Sequence, residues 1–187
     1  MTADAPAYAQ AAVGQGVDAA GPPLAAGTVG YLAGDWDVVR EIADHRTGQA
    51  GSFRGRASFR PAAAGQAAAA GQPGGLDGRV LNFTEHGELR FGSHRGPASR
   101  TLRYYGRSDG SADVRFADGR EFYRLDLSYG SSKAAHPCRA DRYVVTVTRL
   151  SADTFSEVWR VTGPAKDYDM TTVYTRADEH TRTGAGT

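Results

Sequence analysis

TFSEVWRVTGPAKDYDMTTVYTR, residues 154–176, decides the fold. Gly163-Pro164 breaks it into two runs rich in β-branched and aromatic residues, the composition of paired strands. In the second run Tyr168, Met170, Thr172, Tyr174 and Arg176 share one face, opposite Asp169, Thr171, Val173 and Thr175. In the first, Phe155, Glu157, Trp159 and Val161 oppose Ser156, Val158, Arg160 and Thr162. Neither face is plainly polar. A solid sandwich would alternate more cleanly, so the mixture points to a barrel with a partly wet interior.

Working outward, Gly34-Asp35-Trp36 opens the first strong strand. A tryptophan there and Arg176 on the last strand fit a sheet whose ends meet, with the guanidinium lying across the indole. Between them the pattern predicts strands over 36–42, 52–59, 79–85, 88–91, 101–107, 112–116, 121–127, 142–150, 154–162 and 168–176. Turn chemistry separates them at His86-Gly87, Ser108-Asp109-Gly110, Asp118-Gly119, Ser151-Ala152-Asp153 and Gly163-Pro164. About ten strands with no long helix to cross over imply consecutive antiparallel pairing.

Residues 1–28 are rich in Ala, Gly, Pro and Gln and lack the bulk to offset ordering entropy, so a disordered tail is expected. A barrel domain over 29–177 follows, interrupted by a flexible loop at 61–78 and trailed by a tail at 178–187. A net charge of +1 disfavours nucleic acid and anionic membranes as partners. The interleaved Arg90, Arg95, Arg100, Arg103, Arg107, Arg115, Arg120 and Arg124, with Tyr104, Tyr105 and Tyr123, read as solvated strand faces. Cys138 is the single cysteine, no stretch could span a bilayer as a helix, and no signal peptide is evident, so a cytoplasmic protein is expected. A monomer or homodimer is expected.

Two segments concentrate reactive chemistry. In residues 135–143, His136, Asp141 and Tyr143 are candidate catalytic groups, with His136 as acid or base. His136, Cys138 and Asp141 lack metal-site spacing, and Ser131 or Ser132 with His136 and Asp141 lacks a nucleophile elbow. The alternative is a loop that anchors the following strand. In residues 159–168, Lys166, one of only two lysines, sits on a Gly-Pro turn near Arg160. Either it holds a ligand anion at a barrel mouth or it pairs with Asp167 or Asp169.

These stretches, with Leu32-Ala33-Gly34-Asp35-Trp36, Leu81-Asn82-Phe83-Thr84-Glu85-His86-Gly87 and the run from Phe116 to Leu127, resemble the family catalogued as domain of unknown function 6314. The resemblance covers about residues 30–176. More widely, Gly34-x-Trp36 is similar to the lipocalin opening motif, and Arg176 sits where calycin-type barrels place a closing arginine. That resemblance implies an all-β, single antiparallel calycin-like barrel of about 8–10 strands.

The expected function is to bind a small apolar or aromatic molecule with a polar or anionic handle. Arg160, Lys166, Arg103, Trp159 and Tyr168 are the expected ligand-binding residues, and Trp36 and Arg176 close the barrel. The alternative is a cofactor-free isomerase, cyclase or hydrolase using the same pocket. No cofactor or metal is expected.

Overall fold

The computed structural model describes residues 24–63 and 76–178. Of the expected tails at 1–28 and 178–187, residues 1–23 and 179–187 lie outside them, as does most of the expected loop at 61–78; Gly27 and Thr28, expected in the tail, are instead buried in a helix. A short helix, α1 (Gly27–Leu32), precedes ten strands: β1 (Gly34–Asp44), β2 (Ala50–Pro61), β3 (Leu76–Phe91), β4 (His94–Arg107) and β5 (Ala112–Phe116). Then come β6 (Glu121–Leu125), β7 (Ser131–Cys138), β8 (Asp141–Arg149), β9 (Thr154–Gly163) and β10 (Lys166–Arg176). All neighbours are antiparallel, in the order β6-β5-β4-β3-β2-β1-β10-β9-β8-β7. The chain is an all-β, nearly closed ten-stranded barrel. No helix among the described residues is long and apolar enough to cross a membrane.

The first and last strands pair directly, with Trp36 opposite Arg176. The missing ladder lies instead between β6 and β7. Residues 126–130 turn aside there: Leu127 is fully buried and its amide donates to Thr28 Oγ1 at 3.1 Å, while the Thr28 amide donates to the Gly110 carbonyl. The chain thus reaches down to α1 before β7 begins, and two strand edges are left facing each other.

Two expectations about strands are corrected. His86-Gly87 is not a turn; β3 runs through it for 16 residues, and the turn falls at Gly92, whose φ of 57° suits glycine. Gly87 stands opposite Gly55, and a Cβ on it would meet the Phe53 ring at 2.7 Å. Glycine is therefore required by close approach, not by chain reversal. Residues 135–138 are not part of a loop before the following strand, the alternative reading of 135–143; they belong to a strand of their own, residues 131–138. This strand, β7, pairs with β8 across Arg139-Ala140.

Alternation sets the inner face. Below its midpoint the barrel is solid: Trp36, Phe59, Phe83, Phe155 and Tyr174 are essentially buried, with Phe155 stacked on Tyr174 at 4.3 Å and edge-on to Trp36 at 4.8 Å. α1 plugs this end. Its last carbonyls are satisfied from the barrel: Trp36 Nε1 donates to Leu32 O at 2.8 Å, and Arg176 donates to Ala33 O at 3.0 Å and Tyr31 O at 2.9 Å. The same guanidinium lies 4.2 Å from the Trp36 ring centroid. Arg176→Ala should therefore cost about 2–4 kcal/mol in urea unfolding, from two charge-assisted hydrogen bonds and a cation–π contact. A loss below about 1 kcal/mol would show that α1 holds itself in place.

Candidate functional site

Halfway up the barrel the apolar packing stops at a charged layer. Arg40 sits on the inner face of β1 between Val38 and Ile42, Glu85 on β3, Arg100 on β4 and Glu157 on β9 between Phe155 and Trp159. Arg40 donates to both Glu85 oxygens at 3.0 and 2.7 Å, and its Nε donates to Thr172 Oγ1 at 2.8 Å. Arg100 Nη2 donates to Tyr174 Oη at 2.9 Å and lies 3.4 Å from Glu157 and 3.5 Å from Glu85. The Tyr174 hydroxyl lies 3.1 Å from Glu157, and Tyr123 donates to the same carboxylate at 3.4 Å. Arg40 and Arg100 also lie over the Phe53 and Phe83 rings, at 5.0 and 5.2 Å.

Burial is the largest influence on Glu85 and pushes its pKa up. Arg100, Arg40 and Tyr174 outweigh it, so the carboxyl titrates below its usual range. Burial, followed by the neighbouring Glu157, drives the pKa values of Tyr104 and Tyr174 upward. For Tyr123 the order is burial, then Tyr104, then Glu157.

Above this layer the inner wall stays buried on β8 and β9, at Val145, Trp159 and Val161, but is apolar and only half buried on β1, β3 and β10. Ile42, Leu89, Phe91, Tyr168 and Met170, with Asp44 at the rim, line a hollow of about 260 Å³. Beside it, at the β6–β7 gap, side chains do what the backbone ladder does not. Phe122 stacks on Trp159 (5.2 Å, 11°) and meets His136 at 5.1 Å, while His136 also contacts Phe116 and Tyr143. At the rim, Lys166 Nζ donates to Tyr143 Oη at 2.6 Å and to Asp141 Oδ2 at 2.7 Å. Hydrogen bonds to Asp141 and then Tyr143 raise the Lys166 pKa, which keeps it cationic and non-nucleophilic.

The structure brings His136, Asp141, Tyr143, Trp159, Lys166 and Tyr168 onto one inner surface. Arg160 and Arg103 are not with them. Arg160 follows Trp159 and so points outward, paired with Asp167 and Asp169. Arg103 likewise occupies the outer face of β4, opposite Arg115. Lys166 pairs with Asp141, not with the adjacent Asp167 or Asp169. No hydrogen bond joins His136 to Asp141. Ser131 faces away and bonds within the β7–β8 ladder, and Ser132 Oγ accepts from the Asp126 amide, so neither serine forms a Ser–His–Asp arrangement. Among the described residues no three His, Cys, Asp or Glu side chains are grouped to hold a metal.

Arg100, Tyr104 and Tyr123 are not on solvated faces but inside, and Tyr105, although on the other face of β4, is buried as well. Arg40, Glu85, Arg100 and Glu157 are the site residues that sequence reasoning missed. Their signal was present: each is a charged residue set between bulky or small residues at i±2, on an otherwise apolar face.

The chain belongs to the family of unknown function DUF6314, whose model matches residues 32–176. No curated protein matches the sequence. Among solved structures, the chain is similar to the S-type phycobiliprotein lyase of Guillardia theta, with a TM-score of 0.64, 9% identity, and 80% of this chain and 90% of that chain covered. At this identity the likeness is one of fold. A DUF3598-family protein of unknown function from Nostoc punctiforme aligns at TM-score 0.48 and 13% identity, over 87% of this chain and 51% of that one. A redesigned β-barrel bound to DFHBI aligns at TM-score 0.39 and 14% identity, over 78% and 99%.

Two outcomes follow from the charged layer. Glu85→Ala leaves Arg40 buried and unmatched, so it should destabilise by about 3–5 kcal/mol, whereas the paired Arg40→Met/Glu85→Met variant should lose markedly less in denaturant melts. Equal losses would show that the pair is not coupled. Tyr104, Tyr123 and Tyr174 have raised folded pKa values, so their contribution is full below the unfolded tyrosine pKa of about 10 and is lost as pH rises beyond it. Absorbance at 295 nm should show a tyrosine class that ionises only together with alkaline unfolding. Smooth titration of all nine tyrosines before unfolding would contradict the buried cluster.

Proposed function

We propose that this protein binds a small, largely apolar or aromatic molecule in the open half of its barrel. One observation carries the reading. The interior is divided, with a close-packed half against α1 and a half-buried apolar hollow on the other side of a polar floor. Alternation seats Ile42 above Arg40 and Met170 above Thr172, so the hollow stands directly on the charged layer. Apolar walls with a few convergent polar groups are what small-molecule sites require. The hollow of about 260 Å³ falls just under the roughly 300–1,000 Å³ usual for such sites, which favours a compact ligand. Burying about 200 Å² of ligand apolar surface would contribute roughly 5 kcal/mol before the costs of association.

The fold likeness to a phycobiliprotein lyase supports binding of a small molecule without specifying which one. The β6–β7 gap supplies a route in. It is spanned by the Phe122–Trp159 and Phe122–His136 contacts, which rotamer changes can open without breaking a ladder. Binding is favoured over acid–base catalysis because Asp141 is engaged by Lys166 and does not orient His136.

Native mass spectrometry of protein purified from its own cells tests this. A retained small molecule is expected in the wild type and in Arg160→Ala, whose side chain is outside, but not in Leu89→Trp, which fills the hollow. Bare polypeptide mass in all three forms would sink the reading. So would equal retention by Leu89→Trp.

A further inference from the structure

Asp44 is the one charged residue that lines the hollow itself, beside Ile42, Leu89, Phe91, Tyr168 and Met170. Its Oδ1 accepts from the Arg46 and Thr47 amides at 2.9 and 3.0 Å, which fixes the carboxylate at the rim. The Thr47 amide, followed by the Arg46 amide and the Thr47 hydroxyl, holds the carboxyl below its usual range against the opposing effect of burial. It is therefore negative at neutral pH. It makes no ion pair among the described residues, and the Arg46 charge acts on it only weakly.

Every inner-facing lysine and arginine at and above the charged layer is already matched. Arg40 and Arg100 meet Glu85 and Glu157, and Lys166, next inward after Tyr168, is turned to Asp141 and Tyr143. Asp44 is thus a fourth carboxylate facing three cations. Of the histidines at that end, His45 meets Asp169 on the outer face, and His94 stands on β4 opposite Phe91. Two aromatic rings share the hollow with Asp44. Tyr168 is its direct partner across the β1–β10 ladder, and the Phe91 ring lies across Gly51, opposite Ile42, where a Cβ would meet it at 2.5 Å. Elsewhere the chain lays its own cations over aromatic rings, as at Phe53, Phe83 and Tyr143, but none covers Phe91 or Tyr168 among the described residues. An anion in the hollow would meet a carboxylate and no free cation. A cation would meet a carboxylate and two open ring faces, whose quadrupoles attract positive charge.

We infer that the molecule bound in the hollow carries a cationic nitrogen, an ammonium set against Asp44 and the rings of Phe91 and Tyr168, with its apolar body on Ile42, Leu89 and Met170. This rests on the binding function proposed above and narrows it. A cationic end takes the place of the expected anionic handle.

Three probes of nearly equal shape separate the possibilities: 2-(2-naphthyl)ethylamine, 2-(2-naphthyl)ethanol and 2-naphthylacetate. They are titrated by ligand-observed NMR at pH 8, where an ordinary imidazole is neutral and an alkylammonium is charged. The amine should bind at least about fivefold more tightly than the alcohol, and the acetate more weakly than either. Asp44→Asn keeps an oxygen to accept from the Arg46 and Thr47 amides but removes the charge, so it should bring amine and alcohol to within about twofold of each other. Asp37→Asn, on the outer face of β1 where it pairs with Arg56, should leave the ranking as it is. Acetate binding as tightly as the amine overturns the inference, as does an amine preference that survives in Asp44→Asn or is lost equally in Asp37→Asn. Equal binding of all three removes the inference and leaves the small-molecule reading standing. If none binds, the alcohol included, the reading itself fails and takes the inference with it.

Discussion

Two guanidinium groups and two carboxylates meet halfway up the barrel, and the rest of the interior is arranged around keeping them matched. Arg40 and Arg100 come from β1 and β4, and Glu85 and Glu157 from β3 and β9. Arg100 and Glu85 are direct neighbours on β3 and β4, but the bridges from Arg100 to Glu157 on β9 and Tyr174 on β10 exist only when the sheet has curled, and they favour the curled form over a flat one. A buried ionic cluster is a weak source of net stability, because desolvation offsets most of the attraction. Its effect is one of specificity. Any pairing register that separates these groups leaves a charge buried alone, at a cost of several kcal/mol.

The same layer decides where the barrel is solid and where it is open. Below it, Trp36, Phe155 and Tyr174 stack against α1, and Arg176 ties the helix end to the last strand. Above it the inner residues of β1, β3 and β10 are half buried, whereas Trp159 and Val161 on β9 remain covered. The polar floor keeps the upper wall from packing onto the lower core. The gap between β6 and β7 adds a second soft place. Backbone pairing is absent there, and the aromatic groups around Phe122 hold the edges together.

This arrangement also limits the chemistry available. Lys166 is held protonated by Asp141 and Tyr143, so it does not supply a nucleophilic amine. Asp141, engaged in that contact, does not orient His136.

Much of the architecture was legible in the chain. Alternation over residues 154–176, turn residues between short apolar runs, and Trp36 and Arg176 at the two ends specify an antiparallel barrel, because side-chain period and turn chemistry are local properties. The inner face of β9 could be read in the same way, and it already contained both Glu157 and Trp159. What only the tertiary structure decided was which distant groups meet. Glu85 and Arg40 lie 45 residues apart and Arg100 and Tyr174 lie 74 apart, and their contact depends on how the strands are staggered around the barrel. His86-Gly87 looked like a turn because glycine serves both reversals and close packing, and only Phe53 lying over it distinguishes the two. Arg160 and Arg103 looked available for a ligand because charge is visible in sequence, whereas the side of the wall on which it ends up is set by pairing with neighbouring strands.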